Sequence, residues 1–192
     1  MIFRHLFIIL LFFTPYLFSQ EQSPSNYVRL LTNKGSILIE LFPKKAPETV
    51  ANFLKYVDSG FYTNVIFHRV VPGFVMQGGG FDINMVKKET LPAIKNEADN
   101  GLLNKKYTLS MARTPDPHSA SSQFFINVSD NPFLDFRSKT SQGWGYAVFA
   151  RVLPDSYSLI DTLSSVSTKR FSYHTHLPVQ QIIIERVERY TP

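Results

Sequence analysis

Apolar and polar residues alternate along several short segments of the chain, which is the pattern of half-buried β-strands. The clearest case is GSILIEL, in which Ile37, Ile39 and Leu41 share one face. The run YVRLLT at 27–32 precedes it, and the intervening Asn-Lys-Gly predicts a hairpin. Further strand-like runs lie at 67–71, 107–112, 123–128, 146–152 and 181–187.

Two segments have helical rather than alternating spacing. Between Pro47 and Gly60 the apolar residues recur at i, i+3, i+4 and i+7. Proline is typical of the start of a helix and glycine of its end. A weaker pattern at 156–166 places Leu159 and Leu163 on one side. Many short strands with two helices predict a mainly β fold, a closed antiparallel barrel covered by helices. Periodicity alone does not distinguish a barrel from a sandwich.

The N-terminal residues have the composition of an export signal. Arg4 and His5 precede the apolar run Leu6–Phe13, and the small Ser19 follows. This run is shorter than the roughly 20 residues that a membrane-spanning helix needs. We therefore predict a secretory signal peptide at 1–19 rather than an uncleaved anchor, and a protein that is exported to a periplasm or secreted.

Charge and cysteine content narrow the class of protein. A short polar linker at 20–26 leads into one domain at 27–192, long enough to bury a substantial core. The chain has no cysteine, so packing alone must hold the domain together. The formal net charge is +5, and the lysine pairs are scattered rather than gathered in one run. We therefore expect neither a nucleic-acid partner nor stable membrane insertion.

The sequence carries no nucleophile, phosphate-loop or zinc motif. His174 and His176 are the only close histidine pair, and without a third ligand we interpret them as part of a solvated loop. We predict no metal and no cofactor. Asn127 begins a glycosylation sequon but lies in an apolar strand, so we do not expect it to be modified. The three glycines at 78–80 predict a sharp bend or the close approach of another chain.

Arg69 is the residue that a simple strand explains least. On strict alternation it shares a face with Phe67, while His68 and Val70 share the other face, so neither face is cleanly polar. An arginine on a largely apolar face needs an acceptor. A second mixed cluster, formed by 111–114 and 121–125, places amides and hydroxyls beside paired phenylalanines. Such a surface is suited to hold an extended peptide.

Three long motifs resemble the cyclophilin family of peptidyl-prolyl cis–trans isomerases in its bacterial form. They are FHRVVPGFVMQGG, LSMARTPDPHSASSQFFINVSDNPFLDF and GWGYAVFARV, and the resemblance covers residues 27–188 in order. It implies an eight-stranded antiparallel β-barrel capped by two helices. It also implies an isomerase that acts on X–Pro bonds, with proline-containing peptides and unfolded segments as partners. With the predicted signal peptide, we expect its substrates to be exported proteins, and we expect the enzyme to be a monomer.

The resemblance also assigns roles to individual residues. Arg69 takes the place of the catalytic arginine, with Phe74 and Gln77 beside it. The positions that match substrate-binding residues of the family are Val75, Ala112, Arg113, Thr114, Gln123, Phe125, Phe133, Leu134 and Tyr146.

Three of these positions depart from the best-known eukaryotic pattern. Val75 stands where methionine is usual, Phe133 replaces a tryptophan on the rim, and Tyr146 replaces a histidine. Similar replacements occur in bacterial members that are active but bind cyclosporin weakly, so we expect activity with weak cyclosporin binding. Because of Val75, one alternative stays open, a secreted proline-peptide-binding or chaperone module without significant turnover.

Overall fold

The computed structural model describes residues 26–191. The predicted signal peptide and all but the last residue of the predicted linker lie outside the described residues. The helices are α1 (Pro47–Asp58) and α2 (Tyr157–Ser164). The strands are β1 (Tyr27–Thr32), β2 (Gly35–Leu41), β3 (Val65–Val71), β4 (Val75–Asp82), β5 (Thr108–Met111), β6 (Phe124–Asn127), β7 (Val148–Val152), β8 (Thr168–Phe171), β9 (His174–Pro178) and β10 (Ile183–Tyr190).

Eight strands close into an antiparallel barrel in the order β1-β10-β3-β4-β6-β5-β7-β2. The predicted eight-stranded barrel with two helices is therefore confirmed. Closure pairs both edges of each of these eight strands, so the barrel itself presents no open sheet edge to another chain. Within residues 26–191, no helix is long and apolar enough to cross a membrane.

Side chains fill the barrel interior, as expected for a barrel of this size. The alternating residues of β1 and β2 point inward and are fully buried, among them Val28, Ile37 and Ile39. Helix α1 places Phe53 over the interior, with ring centroids 5.8 Å from Phe124 and 5.3 Å from Phe149. This aromatic contact fixes α1 on the barrel.

The start of α1 is capped by a residue from a distant segment. Ala46 at the N-cap has no side chain that can accept a hydrogen bond. Glu97 accepts instead, from the backbone N–H groups of Glu48 at 3.1 Å and Thr49 at 2.8 Å. A carboxylate also interacts favourably with the positive end of the helix dipole. The contact ties the long polar segment before β5 to the barrel.

A β-bulge in β3 changes the faces that alternation predicts. Phe67 and Arg69 lie opposite consecutive residues of β4, although His68 separates them in β3. Phe67 and Val70 are therefore both in the barrel core. The prediction that Arg69 shares a face with Phe67, and His68 with Val70, is wrong, because the bulge inserts one extra residue between them. Arg69 is instead half-buried beside Gln77.

The histidine pair lies in a strand, so the predicted solvated loop is also wrong. Strands β8 and β9 form a separate two-stranded sheet that packs on β3. The His174 ring lies 5.6 Å from the ring of His68 and 5.0 Å from that of Phe81. Leu177 is buried against Ile66 in the same cluster. These contacts stabilise the hairpin, although its sequence is largely polar.

Candidate active site

Arg69 is held by a chain of two glutamines. Its Nη1 donates to Oε1 of Gln77 at 3.3 Å, and Nε2 of Gln77 donates to Oε1 of Gln123 at 3.0 Å. The second bond fixes which end of the Gln77 amide faces the guanidinium. Among the described residues the Arg69 side chain makes no other hydrogen bond and no ion pair. Partial burial lowers the pKa of Arg69, but an arginine stays charged at neutral pH.

An apolar pocket of about 180 Å³ opens beside this guanidinium. Its apolar lining consists of the buried Val75, Phe125 and Leu134 and the half-buried Phe74, Ala112 and Tyr146. The Cζ atom of Arg69 lies 5.6 Å from the ring centroid of Phe74. The site therefore combines a fixed cation with a hollow the size of a small ring.

The loop that carries Tyr146 is fixed from two directions. The guanidinium of Arg113 lies 4.6 Å from the Tyr146 ring centroid, and its Nε donates to the Gly145 carbonyl at 2.8 Å. The Tyr146 N–H donates to the Leu134 carbonyl at 2.9 Å. Gly145 has φ +64°, and a Cβ there would lie 2.6 Å from that same carbonyl oxygen. Only glycine allows the two loops to approach this closely.

The remaining predicted residues lie around this pocket. Thr114 and Gln123 line a second, more polar hollow of about 260 Å³, which shares Gln77, Ala112 and Arg113 with the first. Phe133 lies on the rim, where its ring stacks on Phe74 with centroids 5.5 Å apart. The structure thus brings together the catalytic and substrate-binding residues predicted from sequence.

Comparison with known proteins shows which family the chain belongs to. The family model described as cyclophilin type peptidyl-prolyl cis-trans isomerase/CLD matches residues 27–189. The chain belongs to the cyclophilin family. Peptidyl-prolyl cis-trans isomerase B of Escherichia coli is 54% identical over 156 residues, which cover 81% of this chain and 94% of the relative. Peptidyl-prolyl cis-trans isomerase cyp18 of Streptomyces antibioticus is 54% identical over 158 residues, which cover 82% and 95%.

A solved structure has the same fold. The Cryptosporidium parvum cyclophilin type isomerase, crystallised in the presence of the dipeptide Ala-Pro, superposes with a TM-score of 0.71 and is 30% identical. The match covers 86% of this chain and 99% of that one. The present cyclophilin is therefore an enzyme, a peptidyl-prolyl cis–trans isomerase of bacterial type, rather than a binding module without turnover.

The glycines after Gln77 lie close to another segment of this cyclophilin. Gly79 has φ +86°, and a Cβ there would lie 2.8 Å from the Ser122 carbonyl oxygen. A Cβ on Gly80 would lie 2.5 Å from the side chain of Gln123. The close neighbour is therefore the segment that leads into β6 of the same chain. These glycines make room for Gln123, which in turn orients Gln77.

Sequence reasoning missed several residues of the polar hollow in this cyclophilin. Lys87, Thr90 and Ser119 line it, and none was predicted. The first two lie in a polar segment without periodicity, which gave no signal. Trp144, the single tryptophan, is buried against Phe136 with ring centroids 5.5 Å apart and lines neither hollow. Residues 26–191 contain no group of three or more His, Cys, Asp or Glu side chains placed to hold a metal ion.

Proposed function

We propose that this cyclophilin accelerates rotation about X–Pro bonds in exported proteins, with Arg69 as its catalytic residue. The observation that carries this proposal is the position of the guanidinium, which borders the apolar pocket and donates to Gln77 alone among the described residues. Its other N–H groups are left for a substrate. The reaction makes and breaks no covalent bond, so it requires no nucleophile.

The rate enhancement determines how much the site must stabilise the transition state of X–Pro isomerisation. Uncatalysed X–Pro isomerisation takes roughly tens to hundreds of seconds. Bringing it to milliseconds needs about five decades of rate, or about 7 kcal/mol of selective transition-state stabilisation. Interactions that are equally strong with the planar substrate contribute nothing to that selectivity.

A donor from Arg69 to the prolyl nitrogen has the required selectivity. In the planar amide the nitrogen lone pair is delocalised, whereas in the twisted transition state resonance is lost and the nitrogen becomes an acceptor. The bond therefore forms only halfway through the rotation and lowers the barrier. Arginine suits this role because it stays charged and presents a rigid fork of donors, which Gln77 orients.

The arginine alone does not supply the whole effect. A hydrogen bond to a charged group contributes about 1.5–3 kcal/mol, which is less than half of the requirement. We assign the rest to two features of the site. Phe74, Phe125 and Leu134, with Val75 as the floor, hold the proline ring in every state and exclude water, which strengthens the hydrogen bond from Arg69 in the transition state. Gln123 and the segment 112–114 hold the flanking backbone while the other side of the bond rotates.

The same proposal covers the enzyme's partners and setting. The relative crystallised in the presence of Ala-Pro supports proline-containing peptides and unfolded protein segments as substrates. The predicted signal peptide at 1–19 supports export and a role in the folding of exported proteins, in the periplasm or as a secreted protein. We further propose that the enzyme works as a monomer and binds cyclosporin weakly.

Replacement of Arg69 tests the assignment. Loss of one charged hydrogen bond worth about 1.5–3 kcal/mol predicts that Arg69→Ala lowers kcat/KM by about 10- to 150-fold while the fold is retained. A protease-coupled assay on a proline-containing peptide measures this. Arg151→Ala is the matched control, because Arg151 lies on β7 and pairs with Glu40 away from the pocket. Near-normal turnover of Arg69→Ala would refute the role of Arg69.

A further inference from the structure

Four polar side chains adjoining the proline pocket are almost completely buried. Asn104, Ser110, Asn127 and Asn131 are exposed by no more than 2%, although asparagine and serine are usually found at the surface. A buried amide is costly unless its donors and acceptor are bonded. The four side chains meet this cost by bonding to one another and to the backbone of elements that line the pocket.

Asn131 uses both of its amide hydrogens to join two walls of the pocket. Its Nδ2 donates to the Phe74 carbonyl at 3.0 Å and to Oδ1 of Asn127 at 2.7 Å. Phe74 belongs to the turn between β3 and β4, and Asn127 lies in β6 two residues after Phe125. One side-chain nitrogen therefore fixes the distance between the elements that carry the two phenylalanines.

The backbone of Asn131 fixes the third wall. Its carbonyl accepts from the Leu134 N–H at 2.9 Å and closes the short helical turn Pro132–Leu134. Its N–H donates to the Asn104 carbonyl at 2.8 Å. Asn104 in turn donates from Nδ2 to Oδ1 of Asp135 at 3.0 Å, just beyond the turn. Both ends of the turn that carries Leu134 are thereby held.

The asparagine of the glycosylation sequon belongs to the same network. Nδ2 of Asn127 donates to Oγ1 of Thr108 at 3.0 Å and to Oδ1 of Asn104 at 3.3 Å. Oδ1 of Asn104 also accepts from Oγ of Ser110 at 2.7 Å. These bonds anchor the network to β5, so that Asn131 is held on a rigid base.

We propose that Asn131 is a positioning residue that sets the width of the proline pocket by tying Phe74, Phe125 and Leu134 to one another. This inference rests on the proposed role of that pocket in binding the proline ring. Asn131 lines neither hollow and acts only through its neighbours. No isosteric residue can replace it. Aspartate would place an acceptor oxygen against two carbonyl oxygens, where asparagine places an NH₂ group that donates to both.

Loss of Asn131 should affect substrate binding and rate differently from loss of Arg69. The pocket walls contact the proline ring in both isomers and in the transition state, so their misplacement weakens all three complexes alike. A loss of this uniform kind raises KM or Kd and leaves the rate of the bound substrate nearly unchanged. A merely structural role for Asn131 would lower stability without changing either quantity in the folded protein.

The test compares Asn131→Ala with Ser156→Ala. Ser156 is also buried, and its hydroxyl accepts from the Leu38 N–H at 2.9 Å, but it lies between β2 and α2 and lines neither hollow. NMR titration with a proline-containing tetrapeptide gives Kd, and line shapes give the cis–trans exchange rate on the enzyme. We expect Asn131→Ala to weaken binding by about fivefold or more, with the on-enzyme rate little changed. Ser156→Ala should bind as the wild type does.

Two outcomes overturn the proposal. One is a Kd of Asn131→Ala equal to that of the wild type, measured on the folded fraction. The other is an equal loss of affinity in Ser156→Ala, which would indicate a general effect of destabilisation. Should Asn131→Ala fail to fold, Asn131→Ser retains one donor, and an unchanged Kd of that variant equally refutes the proposal. A failure of the proposed function is distinguishable, since it would appear as absent exchange in the wild type.

Discussion

Phe133 lies at the mouth of the proline pocket, where its ring stacks on Phe74 at an interplanar angle of 29°. More than half of its side chain is exposed. A phenyl ring offers a ligand less contact area than an indole and no N–H donor. The rim therefore accepts a small proline ring with little loss, whereas a large ligand that spans the rim loses contact area there.

Cyclosporin inhibition can be used to compare a phenyl ring with an indole at position 133. An added hydrogen bond contributes about 0.5–1.5 kcal/mol, so we expect Phe133→Trp to tighten cyclosporin inhibition by about 2- to 13-fold, with peptide turnover nearly unchanged. Phe171→Trp is the control, because it adds an indole to an exposed site on β8. Nanomolar inhibition of the wild type would show that the argument from the rim is wrong.

The residues that line the proline pocket could be predicted because they lie in contiguous motifs. Arg69, Phe74, Val75 and Gln77 lie in one such motif, and the structure places all four beside the pocket. The face of Arg69 could not be predicted, since the bulge at His68 depends on the register of β3 against β4. The role of Asn131 could not be predicted either, because its partner Phe74 is 57 positions away in the sequence.

At the scale of elements, the hairpin of β8 and β9 is the main departure from the sequence prediction. Its residues KRFSYHTHLP show no apolar alternation, and the hairpin is stabilised by contacts with the outer face of β3 and β4. Under it lies His68, buried and with an Nδ1 atom that has no hydrogen-bond partner within residues 26–191. Burial, followed by the charges of His174 and Arg69, lowers the pKa of His68 from 6.5 to about 3.

This shift predicts that acid destabilises the fold. Between pH 6.5 and 3 the unfolded chain binds a proton at His68 and the folded chain does not, so the free energy of unfolding falls as pH falls. The expected loss from this histidine between pH 7 and 5 is about 2 kcal/mol. Burial also lowers the pKa of His174, which acts in the same direction.

Urea unfolding at pH 7 and pH 5 checks the prediction. His68→Phe should remove most of the acid-induced loss, because the ring is retained and the proton site is not. Thr175→Ala, a change on the same hairpin that replaces no titratable group, should show the same pH dependence as the wild type. An equal loss in His68→Phe and wild type would mean that other groups cause the acid sensitivity.

At the scale of the whole molecule, the barrel begins downstream of the predicted signal peptide. Strand β1 begins at Tyr27 and pairs with both β2 and β10, so it is needed to close the barrel. Cleavage near Ser19 would leave β1 intact. The chain also contains no cysteine, so the barrel needs no oxidising compartment to reach its final stability. Export is thus compatible with the fold, and only the N-terminal composition points to it.

Fractionation of cells that produce the full chain tests export directly. We expect the mature protein to begin just after Ser19 and to contain 192 − 19 = 173 residues, as determined by N-terminal sequencing and mass spectrometry of the periplasmic or secreted fraction. A charge in the apolar run opposes entry into the membrane, so Ile8→Arg should leave an uncleaved chain in the cytoplasm. Ile8→Leu, the control, should be processed normally. A wild-type protein that keeps residues 1–19 would contradict the predicted signal peptide, and its presence in the cytoplasm would also refute the proposal that the substrates are exported proteins.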